Sequence, residues 1–219
     1  MQDEVVVVIA GGEPPQPEAV RAIAPGTRVI AADGGLAHAL ALGLEVESVI
    51  GDMDSASPAD VEDAASRGVR IERHPAEKDA TDLELALDAA LALGPERILV
   101  LAGDAGRLDH LFSALLLLGA ARYAGVQVDA EVGPAHVYVV RGERVLEGEP
   151  GELVSLVALH GPAEGVATEG LVYPLSGETL EPGSSRGVSN VFAGRTARVS
   201  VDRGVLVAIR PGPDTEGSL

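Results

Sequence analysis

Hydrophobic residues in the first part of the chain fall into short, nearly unbroken runs, separated by stretches whose apolar positions recur every three or four residues. Val5–Ala10, Arg28–Ala32, Ser48–Ile50, Val69–Arg73, Arg97–Ala102 and Val126–Glu131 are rich in β-branched and aliphatic side chains and predict buried strands. Helical stretches lie between them. The clearest is Asp82–Leu93, in which Leu83, Leu87, Ala90 and Leu91 form one apolar stripe and Thr81 with Glu84 makes a T-x-x-E capping box. A second helix is expected from about Asp109 to Tyr123, and a strand at His136–Val140 ends this portion. Strands alternating with helices predict a parallel sheet with helical crossovers.

From about Arg141 onward the pattern changes to short alternating runs broken by glycine and proline. Leu153–Leu159, Gly165–Val172, Thr179–Glu181, Arg195–Val201 and Val205–Arg210 predict strands of an antiparallel sandwich or barrel. The expected organisation is an α/β domain over residues 1–142, a β domain over 143–211 and a polar, disordered tail over 212–219.

Composition narrows the function classes. A chain of 219 residues with 46% hydrophobic content can bury a sizeable core. No apolar run approaches the roughly 18 residues of a membrane helix, and Met1-Gln2-Asp3-Glu4 lacks the basic start of a signal peptide, so a cytoplasmic address is expected. Cysteine is absent, which excludes disulfides, thiol nucleophiles and cysteine-ligated zinc. The net charge of -18 argues against a protein that tracks a nucleic-acid backbone. Any phosphate ligand must be met by a metal and a few local cations.

Those cations and their acidic neighbours sit just after the predicted strands. Asp33-Gly34-Gly35, Gly51-Asp52-Met53-Asp54-Ser55, Lys78-Asp79-Ala80-Thr81-Asp82 and Gly106-Arg107-Leu108-Asp109-His110 each follow one, and ligands in open α/β sheets bind beyond strand carboxyl ends. Carboxylates gathered there repel one another unless a cation shares them, and Mg²⁺ is the hard, oxygen-seeking ion that bridges carboxylates to phosphates. An extended backbone would put Asp52 and Asp54 on one face. Lys78 is the only lysine in a chain whose other strong cations are all arginine. Asp82 has a competing explanation, since a carboxylate is favoured in a helix's first turn without any ligand. His110 beside Leu111 fits a hydrogen-bonded structural histidine and is assigned no catalysis.

Taken in order, Ala32-Asp33-Gly34-Gly35, Gly51 to Ser55, Lys78 to Asp82, Gly106 to His110 and Ser189-Asn190 resemble the motif series of the thiamine pyrophosphokinase family, over about residues 5 to 210. The resemblance implies an α/β domain followed by a β-sandwich, a homodimer, and transfer of the terminal diphosphate of ATP to the hydroxyl of thiamine. It assigns Asp52, Asp54 and Asp82 to the Mg²⁺ centre, with Lys78 and Arg107 offsetting phosphate charge. Asp109 would orient Arg107 or the metal shell, while Asp33, Gly34, Asp79 and Thr81 would help hold the nucleotide. Tyr173 stands where the family has Trp or Tyr to stack on thiamine, with Ser189 and Asn190 as polar contacts nearby. Ala105, Ala114 and Val191 depart from residues frequent in the family.

Three other readings use parts of the same pattern. A pyrophosphokinase acting on a hydroxymethyl pterin would share the chemistry with a different alcohol. A haloacid-dehalogenase-like phosphatase would use Asp52 as nucleophile, although that residue normally ends the first strand and Asp52 follows the third. A thiamine sensor would keep Tyr173 and Ser189 without needing Asp52, Asp54 and Asp82 together.

Overall fold

The structure is a computed structural model that describes residues 4–212, so of the expected disordered tail all but Gly212 lies outside the described residues. Two compact units are present, one formed by Met1–Leu117 and Gly125–Gly133, the other by Leu118–Ala124 and Pro134–Leu219.

In the first unit, strands β1 (Val5–Ile9), β2 (Arg28–Ala32), β3 (Ser48–Gly51), β4 (Arg70–Arg73), β5 (Arg97–Ala102) and β6 (Gln127–Val132) form a parallel sheet in the order β6-β5-β1-β2-β3-β4. The central strands read as continuous apolar runs because both faces are buried; Val6, Val7, Val8 and Ile9 are each 0% exposed. Helices α1 (Gly35–Ala41), α2 (Pro58–Ser66), α3 (Asp82–Ala92) and α4 (Leu108–Leu118) connect the strands. The chain leaves β1 in one direction to β2, β3 and β4, then returns to the other side of β1 at β5. Such a reversal opens a crevice at the strand carboxyl ends.

Local chemistry explains the turns into these helices. A Cβ at Gly35 would collide with the carbonyl oxygen of Ile9, so glycine is what lets α1 start against β1. The double glycine at residues 34 and 35 therefore serves packing at its second position. At α3 Thr81 is the N-cap, as the T-x-x-E pattern implies, its Oγ1 accepting the Glu84 N–H at 3.2 Å. Ala86, Leu87 and Ala90 are the residues of α3 that become buried. Helix α4 ends at Leu118, earlier than its apolar pattern suggested, and Ala121–Tyr123 is a separate 3-10 turn.

The second unit is antiparallel. Strands β7 (Ala135–Glu147), β8 (Leu153–Glu169), β9 (Ser176–Leu180), β10 (Asn190–Val191) and β11 (Thr196–Arg210) pair as β10-β8-β11-β7, with β9 on β8. His136–Val140, expected to close the α/β portion, is instead the first half of β7 and pairs with Leu206–Arg210. Two pairs of predicted short strands are each one long strand with a bulge. The β8–β11 register shifts between Arg203 and Val205. Leu146, Leu156, Leu180 and Phe192 fill the core of this unit.

Candidate active site

Loops after β1 to β5 line one cavity of about 830 Å³. It takes Asp33 from the end of β2, Asp52, Asp54 and Ser55 from the loop after β3, Lys78, Thr81 and Asp82 from the turn into α3, and Arg107, Asp109 and His110 from the start of α4. The four motifs of the first unit thus arrive at the same sheet edge, whereas Ser189-Asn190 does not. Asp79 is exposed and does not line this cavity, and neither does Gly34, which packs against Ser55.

Three carboxylates converge at the floor. One oxygen each from Asp33, Asp52 and Asp82 lies within 4.8 Å of the others. Asp33 is 7% exposed, and both its Oδ1 and Asp82 Oδ1 are buried without a hydrogen-bond partner. Burial pushes the Asp33 carboxyl above the usual carboxylate range, partly offset by the nearby Ser55 hydroxyl and Gly34 backbone, with Asp82 and Asp52 adding repulsion. Lys78 supplies the opposing charge: Nζ is 2.9 Å from Asp82 Oδ1, without hydrogen-bond geometry, and donates to Asp52 Oδ2 at 3.3 Å. Desolvation lowers the Lys78 pKa, but its contacts with Asp82 and Asp52 outweigh that and raise it overall. Asp52 is held below the usual range, first by the Asp54 N–H and then by Lys78.

Asp54 does not sit as an extended backbone would place it. Met53 has a φ of 65°, which turns the chain so that the Asp54 N–H donates to Asp52 Oδ1 at 3.1 Å. The Asp54 carboxylate accepts instead from Ser55 Oγ at 2.9 Å and is exposed on the cavity wall. Asp33, expected from the sequence as a nucleotide contact, is the residue that joins Asp52 and Asp82. Its signal was the A-D-G-G turn, and only the adjacency of β2 and β3 reveals the grouping.

At the rim, Arg107 and Asp109 form a two-pronged pair, Nε to Oδ1 at 3.2 Å and Nη2 to Oδ2 at 2.6 Å. The pair is well exposed, and the Arg107 guanidinium holds the Asp109 carboxyl down at about 2. Because the folded value is depressed, the attraction is complete above the ordinary carboxylate range and is lost as pH falls through about 2. Arg107→Met should return the Asp109 titration toward about 4, followed by NMR of the carboxyl carbon; an unmoved midpoint would assign the depression to something other than Arg107.

Tyr173, Ser189 and Asn190 lie in the second unit. They line a separate cavity of about 450 Å³ together with Ser184, Arg186 and Val188. Tyr173 is 60% exposed, unusual for a large aromatic, whereas Asn190 is only 4% exposed.

A parallel sheet whose carboxyl-end loops gather carboxylates, a lysine and an arginine around one cavity defines an α/β protein equipped for phosphate chemistry. Comparison with known proteins specifies which. The family description "Thiamin pyrophosphokinase, catalytic domain" matches residues 22–129, and "Thiamin pyrophosphokinase, vitamin B1 binding domain" matches residues 143–206. A curated thiamine pyrophosphokinase from Bacillus subtilis (strain 168) is 27% identical over 187 residues, covering 83% of this chain and 86% of that protein. The crystal structure of a thiamin pyrophosphokinase family protein from Enterococcus faecalis superimposes with a TM-score of 0.78 at 27% identity, over 96% of this chain and 99% of that one. The Bacillus subtilis thiamine pyrophosphokinase structure gives a TM-score of 0.84 at 24% identity, over 96% and 100% respectively, and supports the fold. The chain belongs to the thiamin pyrophosphokinase family.

Proposed function

We propose that this chain catalyses ATP-dependent diphosphate transfer to thiamine: the thiamine hydroxyl oxygen bonds to the β-phosphorus, the bond from that phosphorus to the α-phosphate oxygen breaks, and AMP leaves as the hydroxyl proton is lost. The observation that carries this reading is that both halves of the chain match the family while the four motifs of its first unit meet at one cavity. Transfer of this kind depends chiefly on in-line positioning and on neutralising phosphate charge.

Asp52, Asp54 and Asp82 are proposed to hold Mg²⁺, with Asp33 as an additional ligand. Support comes from an all-oxygen donor set suited to a hard cation, from the buried oxygens of Asp33 and Asp82 that accept no hydrogen bond, and from Gly51. A Cβ at Gly51 would stand 2.9 Å from Asp33 Cβ and 3.0 Å from Asp82 Oδ1, inside the acidic cradle. The ion, when bound, would neutralise charge on phosphate oxygens. Lys78 and Arg107 complement that charge on either side of the cavity, and Asp109 aims Arg107. Thr81 fixes the start of α3 and so the place of Asp82. Asp79, exposed beside Lys78, is proposed as an outer contact to nucleotide or metal, and Gly34 as the packing point that keeps Asp33 beside Ser55.

Tyr173 is proposed to stack on thiamine, whose cationic ring favours an aromatic face, with Ser189 contributing a polar contact. Residues 1–142 would then serve ATP and metal, and 143–211 thiamine and dimerisation. A homodimer is proposed on the family resemblance and on the exposed Leu108 and Phe112 of α4. A cytoplasmic site of action fits the absence, among the described residues, of any helix long and apolar enough to cross a membrane.

Incubation with ATP, Mg²⁺ and thiamine should yield AMP and thiamine diphosphate, with no AMP from a hydroxymethyl pterin in place of thiamine. ADP as the product would point to single phosphoryl transfer. A phosphoaspartate on Asp52 would replace the kinase reading with a phosphatase one. Sedimentation should give the mass of two chains.

A further inference from the structure

Asn190 is the residue of the second cavity whose chemistry is least open to a ligand. Its Oδ1 accepts two backbone N–H groups, from Tyr173 at 3.0 Å and from Val191 at 2.9 Å, and its Nδ2 donates to the Tyr173 carbonyl at 2.7 Å. An asparagine amide offers two acceptor lone pairs and two N–H donors, so both acceptor places and one donor are occupied by backbone. Burial to 4% exposure leaves little of the remaining N–H for anything that enters the cavity. One side chain thus takes both the N–H and the C=O of a single residue, as a neighbouring strand would.

That residue is Tyr173, whose ring is the largest exposed aromatic surface lining the cavity. Its backbone is restricted further from the other side, because Pro174 follows it and disfavours helical geometry at position 173. The segment bearing Asn190 is itself fastened to β8. The Leu156 N–H donates to the Gly187 carbonyl at 2.9 Å, the Ser189 N–H donates to Ser155 Oγ at 3.1 Å, and Asn190 pairs with Val154. Gly187, at φ 98°, is placed so that a Cβ would approach the Leu156 carbonyl oxygen to 2.7 Å, which keeps that fastening close. The line of support runs from β8 through this strap to Asn190 and from Asn190 to Tyr173.

We infer that Asn190 is a positioning residue for thiamine binding: its amide clamps the Tyr173 backbone and presents the ring to the cavity, and it acts on thiamine through Tyr173 rather than by contact. This rests on the reading of Tyr173 as thiamine's stacking surface. It reassigns Asn190 from the direct polar contact that the sequence suggested. The clamp answers a physical need, because the backbone of an irregular segment would otherwise sample many conformations and the exposed ring would lose part of its stacking gain to ordering.

A double-mutant cycle separates positioning from contact. Asn190→Asp keeps the oxygen that accepts the two N–H groups and removes the donor to the Tyr173 carbonyl. With Tyr173 present it should weaken thiamine binding by calorimetry about tenfold and raise KM for thiamine correspondingly; with Tyr173→Ala already made, the further loss should be under about twofold, since coupled residues are not additive. KM for ATP and kcat at saturating thiamine should stay within about twofold. Should Asn190→Asp not fold by circular dichroism, Asn190→Ser carries the same cycle. An equal loss in both backgrounds would mean that Asn190 meets thiamine itself, and no loss in either would make the clamp irrelevant to binding; each overturns the inference. Wild-type protein that binds thiamine but releases no AMP overturns the catalytic reading while the cycle remains readable, and wild-type protein that binds no thiamine overturns both.

Discussion

Asp52→Asn is expected to lower kcat/KM by about 10²-fold or more, equivalent to roughly 2.7 kcal/mol of lost transition-state stabilisation. The carboxylate is held ionised by the Asp54 N–H and by Lys78 and faces Asp33 and Asp82 across the cavity floor. Asparagine keeps one oxygen to accept the Asp54 N–H, so the turn should survive while the charge is lost. What remains is Asp33 and Asp82 on the floor, Asp54 on the wall and one ammonium, a poorer match to a divalent cation. Asp54→Asn should fall by a similar order, because its side chain lines the same cavity. The measurement is AMP release at saturating Mg²⁺, with circular dichroism to show that the fold persists. Near wild-type turnover in either variant removes that residue from the metal centre.

The strands of the first unit were legible because they are buried on both faces and appear as uninterrupted aliphatic runs; β2 and β5 match their predicted bounds. The long strands of the second unit were not. Gly161 and Pro162 interrupt the apolar pattern of β8, and Gly204 interrupts β11, and such residues ordinarily end a strand. Here they mark irregular places inside continuous strands: Gly204, at φ 92°, packs where a Cβ would strike the Pro162 carbonyl.

The candidate site divides the same way. Each motif's position after a strand could be read locally, since it depends only on strand and turn chemistry. The partnership of Asp33 with Asp52 and Asp82 could not, because it depends on β2 lying beside β3 with α3 packed against both. The turn at Met53 was hidden as well, since a methionine at φ 65° has no sequence signature. Asn190 carried a polar signal, but its hydrogen bonds to the Tyr173 and Val191 backbone could not be read from a one-dimensional pattern.

Gly51→Ala should remove most metal-dependent activity, about 10²-fold, without touching any ionisable group. Gly51 has a φ of 153°, a conformation alanine adopts only with strain, and its Cβ would lie 2.9 Å from Asp33 Cβ and 3.0 Å from Asp82 Oδ1. Backbone strain of this kind costs about 1–3 kcal/mol, so a stability loss of that size should accompany the change. The crowded neighbours are a buried aspartate on β2's end and the first residue of α3, neither of which can retreat without moving its element. Relief must come from rotating the carboxylates, which spreads the oxygens now within 4.8 Å of one another. Two measurements separate the effects: denaturant unfolding for the strain, and Mn²⁺ binding followed by electron paramagnetic resonance for the cradle. A variant that loses stability yet binds Mn²⁺ with unchanged affinity would show that Gly51 serves the turn alone. Weakened Mn²⁺ binding in protein shown to be folded would tie this glycine to the acidic centre.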